Sequence, residues 1–222
     1  MKLPRRLLSG LLAAALVPIG AVTLAPASPA AADPAPAGAA GTPSTVSADA
    51  LPTAQINGIV WDQVVVGDIV YVVGKFSSAR PAGSPAGQNE SPRGNAMAYN
   101  INTGEIVDWA PTTNGTINTI AASADGQTLY LGGEFTTLNN QTAWRVGAVR
   151  ASDGQRSPLA ASANGSVKAL SVSPDGQTLY IGGAFTQINS SARQRVAALN
   201  LGSQQLTNFA PKIDNYYVRS IV

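Results

Sequence analysis

Nearly the same thirteen residues occur twice in this sequence, as SADGQTLYLGGEF at 123–135 and as SPDGQTLYIGGAF at 173–185. The two copies differ at three positions and start 50 residues apart. A weaker copy, GDIVYVVGKF, occupies 67–76. Repetition at a fixed period is typical of proteins that build their fold from one structural unit used several times.

The second half of the unit recurs as well. Its three copies are AMAYNINTGEIVDWAP (96–111), GAVRASDGQRSPLAA (147–161) and AALNLGSQQLTNFAP (197–211). The first unit is longer by nine residues, and an insertion at 79–94 accounts for them. We therefore expect repeat units at 56–111, 115–161 and 165–211, with a further unit beginning at 216–222.

Each unit is predicted to contain four short strands. In the third unit they are VKALSVS (167–173), TLYIGGAF (178–185), RVAALN (195–200) and QLTNFA (205–210). Asp125-Gly126 and Asp175-Gly176 predict tight hairpin turns, because both residue types tolerate positive φ at little cost. Asn114-Gly115 and Asn164-Gly165 give the same turn signal between units.

A pair of glycines lies within the predicted second strand of two units, Gly132-Gly133 before Phe135 and Gly182-Gly183 before Phe185. A phosphate-binding loop would open a helix, whereas here a strand continues. Close packing between neighbouring sheets is the better interpretation. Likewise, each Asp-Gly turn has one aspartate where a calcium loop needs several oxygen ligands, so a structural turn is favoured.

Four strands in every unit of about 50 residues predict an all-β fold, a β-propeller of four-stranded blades. The alternatives are a β-solenoid, which usually has a shorter period, and a sandwich, which needs no near-identical units. Three blades and the start of a fourth do not close a propeller. We therefore expect the chain, an incomplete propeller over 55–222, to be a fragment of a longer protein.

The SxDGxxLYxGGxFT segment followed by an RxAALN-type segment resembles the delta-60-type propeller repeat. The resemblance covers about residues 55–222 and implies a secreted protein of the actinobacterial type, often found ahead of PKD-type modules, with no common activity. SPDGQTLY (173–180) is more weakly similar to YVTN surface-layer propellers. The first unit departs from the pattern, with Gly67-Asp68 in place of Asp-Gly and Val73-Gly74 in place of Gly-Gly.

The N-terminal segment predicts export. Residues 1–32 have the pattern of a secretory signal, with Lys2, Arg5 and Arg6 before an apolar stretch and a cleavage site between Ala32 and Asp33. The alternative is an uncleaved membrane anchor. Residues 33–54 are rich in Ala, Pro and Gly and predict a disordered linker. We expect a secreted or envelope-attached protein with no membrane span after cleavage.

Composition excludes several kinds of chemistry. The chain of 222 residues contains neither His nor Cys, so it has no Ser-His-Asp or Cys-His centre and no disulfide. The formal charge of +2 depends on Lys2, Arg5 and Arg6; without them 11 basic and 12 acidic residues remain. No basic stripe is left to favour nucleic acid. The sequence indicates neither cofactor nor metal, and no catalytic residue.

Five residues are candidates for ligand contact. Arg145 and Arg195 precede the third strand of their units, where the first unit has Asn95, and Arg93 and Arg193 align two positions earlier. Guanidinium groups repeated in this way can grip carboxylates or anionic glycans, or form salt bridges between blades. Glu134 is the only acidic residue at its repeat position, where Lys75 and Ala184 stand in the other units.

The favoured function is a secreted or cell-surface binding scaffold for a protein or polysaccharide, with the insertion at 79–94 as the best candidate for a specific contact. The alternative is an extracellular carbohydrate-active enzyme, a hydrolase or lyase, whose catalytic residues lie in other blades. The lone carboxylate of Glu134 does not supply the pair that sugar hydrolysis needs. A structural spacer in the cell envelope is the third hypothesis.

Overall fold

The computed structural model describes residues 53–214 and 216–222. The predicted signal at 1–32, its cleavage site at Ala32 and Asp33, and the linker up to residue 52 lie outside the described residues. The described part of the chain forms eighteen strands and no helix. The prediction of an all-β fold is confirmed.

Three antiparallel sheets follow one another along the chain, and each corresponds to one repeat unit. The first sheet consists of β2 (Ile59–Val66), β3 (Ile69–Lys75) and β6 (Ala96–Asn100). The second consists of β7 (Ile117–Ala122), β8 (Thr128–Gly133), β11 (Val146–Arg150) and β12 (Arg156–Ser157). The third consists of β13 (Val167–Val172), β14 (Thr178–Gly183), β17 (Val196–Asn200) and β18 (Gln205–Leu206).

The second and third sheets have four strands in sequence order, so each is a simple meander. Their fourth strands are only two residues long, shorter than the predicted strand over 205–210. In the first sheet a single bridge between Tyr99 and Ile106 stands in the place of the fourth strand. The prediction of four strands per unit therefore holds for two of the three units.

Short hairpins lie between the second and third strands of the units, and the sequence did not predict them. They are β9 (Thr137–Leu138) with β10 (Gln141–Thr142), and β15 (Gln187–Ile188) with β16 (Ser191–Ala192). In the first unit, β4 (Ser78–Arg80) pairs with β1 (Gln55–Ile56) and β5 (Ser91–Pro92). The turn of the first hairpin is Asn139-Asn140, with φ of 48° and 61°, which is the geometry of a type I′ turn.

The Asn-Gly pairs between units do not form hairpin turns, and neither asparagine has a positive φ. Instead, the Asn114 side chain accepts hydrogen bonds from the N–H groups of Thr136 and Thr137 at 2.8 and 3.0 Å, and donates to Thr136 Oγ1 at 2.8 Å. Asn164 makes the same three bonds to residues 186–187. Asn57 makes them to residues 77–78. We call this contact the asparagine clamp.

The sheets pack face to face, with β7 between β2 and β13. One apolar cluster joins the first and second sheets through Tyr71, Trp109 and Leu131, and another joins the second and third through Tyr130 and Leu179. Burial of each such side chain contributes about 1.5–3 kcal/mol, so these clusters hold the stack together.

The first glycine of each pair lies where one sheet approaches the next, whereas the second packs against the first strand of its own unit. A methyl group on Gly132 would come within 2.5 Å of Val167 Cγ1 and 2.8 Å of Thr119 Cγ2. Gly182 lies in the same way against Val218 and Ile221. Because Val218 and Ile221 take the positions that Val167 and Leu170 have one unit earlier, the segment 216–222 occupies the place of a next first strand.

Hydrogen bonds also connect consecutive sheets. The Tyr71 hydroxyl donates to the carbonyl of Ala151 at 2.9 Å, and Trp109 Nε1 donates to the carbonyl of Arg150 at 3.0 Å. Burial raises the pKa of Tyr71 above its ordinary value, because the charged phenolate would lose its water. The first and second sheets are therefore joined by polar as well as apolar contacts.

Candidate functional site

The first strand of each unit contains a β-bulge at the same position. Pairing of β2 with β3 passes from Val60 to Asp62 and leaves Trp61 without a partner. Pairing of β7 with β8 skips Asn118, and pairing of β13 with β14 skips Lys168. A bulge turns one side chain out of the regular alternation of the strand. In segment 216–222 the equivalent residue is Arg219, since it follows Val218.

The four bulge residues line one cavity of about 670 Å³. Its other lining residues are Asp62, Lys75, Thr116, Glu134, Tyr217 and Ser220. Lys75 and Glu134 come from the ends of the second strands, which lie beside the bulges because the strands are antiparallel. The repeat architecture thus delivers side chains of different chemistry from successive units to a single place. We call it the bulge cavity.

Polar contacts fix the centre of the bulge cavity. Glu134 Oε1 lies 3.8 Å from Lys168 Nζ and accepts a hydrogen bond from Ser166 Oγ at 3.3 Å. Asn118 Nδ2 donates to Ser166 Oγ at 3.3 Å and to the carbonyl of Val167 at 2.9 Å. The Asn118 amide and the Lys168 ammonium are therefore held in place by the neighbouring unit.

The carboxylate of Asp62 is occupied by the backbone. Its Oδ1 accepts the N–H of Gln63 at 2.8 Å, and its Oδ2 accepts the N–H of Ile120 at 3.0 Å. The equivalent residue of the second unit, Thr119, accepts the N–H of Leu170 through Oγ1 at 3.3 Å. Each of these bonds satisfies an edge N–H that the ladder leaves free.

Cations cover the ring of Tyr217 in the bulge cavity. Lys168 Nζ lies 5.3 Å from the ring centroid, and Arg219 Cζ lies 5.0 Å from it. The Arg219 guanidinium also donates a hydrogen bond to the Tyr217 hydroxyl. Trp61, by contrast, is 57% exposed. The indole of Trp61 is therefore the aromatic surface that this cavity offers to a ligand.

Of the five candidate contact residues, Glu134 alone lines the bulge cavity. Each of the other four donates to a backbone carbonyl: Arg145 to Ala163, Arg195 to Ala184 and Phe185, Arg193 to Ala192 and Thr207, and Arg93 to Pro92. The structure does not bring these arginines together with Glu134. Arg145 and Arg195 have φ of 63° and 71°, as Asn95 has 73° in the first unit, so a left-handed backbone position recurs there.

The insertion at 79–94 extends a hairpin and is held by its own side chains. Glu90 accepts hydrogen bonds from Ser78 Oγ at 2.6 Å and from the N–H of Gly87 at 2.9 Å. The Ser78 hydroxyl, followed by the Gly87 N–H, holds the pKa of Glu90 below its usual value. The insertion borders a separate groove of about 540 Å³. Arg93 of the insertion lines this groove, together with Glu105 and Asp108 from the segment that follows β6.

The Asp-Gly residues form the turn between the first and second strands. Gly126 has φ of +70°, and its N–H donates to the carbonyl of Ser123 at 2.9 Å. Asp125 Oδ1 accepts the hydroxyl of Ser123 at 2.5 Å and the N–H of Gln127 at 3.0 Å. These bonds hold the pKa of Asp125 below its usual value, the serine contributing most. Asp175 and Gly176 repeat this turn.

Sequence reasoning missed most of the bulge cavity. Comparison of the repeats did single out position 134, since the units differ there, and it also recorded Lys75 at that position. The same comparison applied to 61, 118, 168 and 219 shows Trp, Asn, Lys and Arg at equivalent sites. That difference was the available signal, but the register of the bulge is needed to align Trp61 with the others.

Residues 53–214 and 216–222 contain no group of three His, Cys, Asp or Glu side chains arranged to hold a metal ion. No helix of sufficient length and apolarity to cross a membrane is found there. Comparison of the chain with protein-family models and with curated proteins finds no match.

Proposed function

We propose that this protein is a binding scaffold of the β-propeller type, secreted or attached to the cell surface, that holds an extracellular ligand in the bulge cavity. The three sheets serve as blades, and the first strands β2, β7 and β13 lie towards the axis. Export is supported by the signal-like residues 1–32.

The stacking of the sheets supports the propeller. Ile117 and Val167, at the start of β7 and β13, are fully buried against the preceding sheet. Val60 has the same position in β2 and is 43% exposed. The free face of the first sheet therefore has the residues that another sheet of the same kind would cover, as blades do around an axis.

The observation that carries the binding proposal is the contrast between packing and cavity positions. The glycine paired with the residue before the bulge is the same in all three units, as Gly74, Gly133 and Gly183. The bulge residue beside it is Trp61, Asn118 or Lys168. Side chains with only a packing role at this position would be expected to repeat as the glycine does. A volume of about 670 Å³ also suits a ligand site.

Cosedimentation of the purified 222-residue chain with isolated bacterial cell-wall polysaccharide tests this proposal. We expect the parent protein to sediment with the polymer and Trp61→Ala to remain in solution. Trp144→Ala is the matched control, because Trp144 is a similarly exposed tryptophan, at 49%, on another surface. Equal sedimentation of both variants, or none by the parent, would contradict the proposal and favour the spacer hypothesis.

The alternative, a carbohydrate-active enzyme, gains one observation: Asp62 and Glu134 line the same cavity. Both oxygens of Asp62 accept backbone N–H groups, and Glu134 is paired with Lys168. A general acid or nucleophile needs an oxygen available to the sugar, so the contacts favour binding. Release of reducing ends from the sedimented polymer, abolished in Glu134→Gln, would establish the enzyme instead.

A further inference from the structure

The charges of the bulge cavity do not balance. Lys75, Lys168 and Arg219 face Asp62 and Glu134 there. Glu134 compensates Lys168 at 3.8 Å, and the negative charge of Asp62 is directed to the N–H groups of Gln63 and Ile120. Within the described ranges, neither Lys75 nor Arg219 forms an ion pair with a carboxylate. With three cations against two carboxylates, the cavity keeps a net positive charge, and its two exposed cations without a carboxylate partner can attract an anion.

The two cations differ in how they are held. The Arg219 guanidinium packs against the ring of Tyr217 and bonds to its hydroxyl, which limits its motion. Its planar fork suits a carboxylate, which it can grip with two hydrogen bonds. Lys75 is an exposed ammonium at the end of β3 and acts as a point charge. A preorganised guanidinium beside a flexible ammonium is suited to a ligand with carboxylate groups.

The uncharged lining residues indicate what carries those carboxylates. Trp61 presents a largely exposed indole, whose electron-rich face attracts the C–H groups of a flat apolar surface. Thr116 and Ser220 add hydroxyl groups to the lining of the cavity. An aromatic side chain together with hydroxyl and amide groups in one cavity suits a sugar ring, which has C–H groups on its faces and hydroxyls at its edge. A peptide bound by strand addition would instead require pockets for alternate side chains.

We infer that the bulge cavity binds an acidic saccharide, one whose sugar rings bear carboxylates, with Trp61 packed on a ring and with Arg219 and Lys75 on its carboxylates. This inference rests on the proposed binding function and assigns its ligand class. The bulge position then contributes to ligand binding at two places, as the Trp61 indole in the first unit and as the Arg219 guanidinium in the segment after the third unit.

Calorimetric titration of the 222-residue chain with oligogalacturonate, its methyl ester and poly-glutamate tests the inference. We expect the acid to bind and the methyl ester to bind about tenfold more weakly, because esterification removes the charge. Arg219→Gln and Lys75→Gln should each lower the affinity for the acid about threefold and leave the affinity for the ester unchanged, because the two cations together account for the difference between acid and ester. Lys212→Gln is the control, because Lys212 is a 77% exposed lysine outside the cavity. Trp61→Ala should lower the affinity for both the acid and the methyl ester.

The outcomes separate the two proposals. Equal affinity for acid and ester, or loss of both in Arg219→Gln, would overturn the acidic ligand class while saccharide binding stands. Binding of poly-glutamate as tight as that of the acid would replace the saccharide by an acidic peptide. Failure of all three probes to bind, in an assay where cell-wall polymer cosediments, would also overturn the ligand class. If no probe binds and the cell-wall polymer does not cosediment either, the proposed binding function is overturned.

Discussion

Asp62 in the first sheet accepts the backbone N–H of Ile120 in the second sheet at 3.0 Å. One unit later, Thr119 makes the equivalent bond to Leu170 at 3.3 Å. Both acceptors follow a bulge residue directly. The same short segment therefore presents one side chain to the cavity and uses the next to bind the neighbouring sheet.

Removal of the Asp62 carboxylate should destabilise this junction. Asp62→Ala leaves the Ile120 N–H without its acceptor, and we expect the free energy of unfolding to fall by about 1–2 kcal/mol in urea titrations. Asp62→Asn keeps one acceptor oxygen, so its free energy of unfolding should lie between those of the parent and of Asp62→Ala. Asp108→Ala, which removes an exposed aspartate with no hydrogen bond to its carboxylate in the described ranges, is the control. A loss no larger than the control's would show that the bond does not support the junction.

The asparagine clamps should contribute equally in different units. Asn114→Ala and Asn164→Ala each remove three hydrogen bonds, so we expect each to lower the free energy of unfolding by about 1–2 kcal/mol. Asn114→Asp keeps the two acceptor bonds and should recover part of that loss. The exposed Asn102, changed to alanine, should leave the urea midpoint unchanged. Unequal effects at 114 and 164 would argue against a shared role.

The close approach at Gly132 should be sensitive to a single methyl group. In Gly132→Ala the new methyl would overlap Val167, and we expect a loss of about 1–3 kcal/mol in thermal or urea unfolding. Gly202→Ala is the matched control, since its nearest neighbour, Asn200 Oδ1, would be 3.5 Å away. Because Val167→Ala makes room for the new methyl, the double variant should lose less stability than the sum of the two single losses. Strictly additive losses would place the cause elsewhere than in this contact.

Acid should weaken the fold through its two Asp-Gly turns. The folded pKa values of Asp125 and Asp175 lie below the ordinary 3.8. Their stabilisation is therefore fully present above the unfolded pKa and is lost as pH falls through the folded one. The double variant Asp125→Asn, Asp175→Asn should have a flatter profile of urea midpoint against pH below about pH 4. A profile as steep as the parent's would assign the acid sensitivity to other carboxylates.

The period of the sequence predicted the all-β fold and the order of the long strands, because hydrophobic runs and Asp-Gly turns depend on local backbone preferences. It missed the Asn139-Asn140 hairpin, where two left-handed asparagines make a turn without the usual glycine. It misassigned Asn114-Gly115, since a side chain clamping a distant strand gives no local signal.

The site was harder to predict than the fold for a physical reason. A bulge shifts the register by one residue, so Trp61 aligns with Asn118 and Lys168 only once the strand pairing is known. Arg145 and Arg195 were candidate ligand contacts because their charge repeats between units, yet their guanidinium groups donate hydrogen bonds to backbone carbonyls. Glu134 stood out because it differs from its equivalents, and the bulge residues share that property.

The asparagine clamp has a consequence for how the protein is produced. Asn114 and Asn164 each begin an Asn-x-Ser/Thr tripeptide, the acceptor for N-linked glycosylation in eukaryotic secretion. The amide nitrogen that would carry the glycan is the one that donates to the threonine hydroxyl at 2.8 Å. A bulky glycan and the clamp compete for the same atom. A host that does not glycosylate asparagine is therefore the appropriate source of the folded chain.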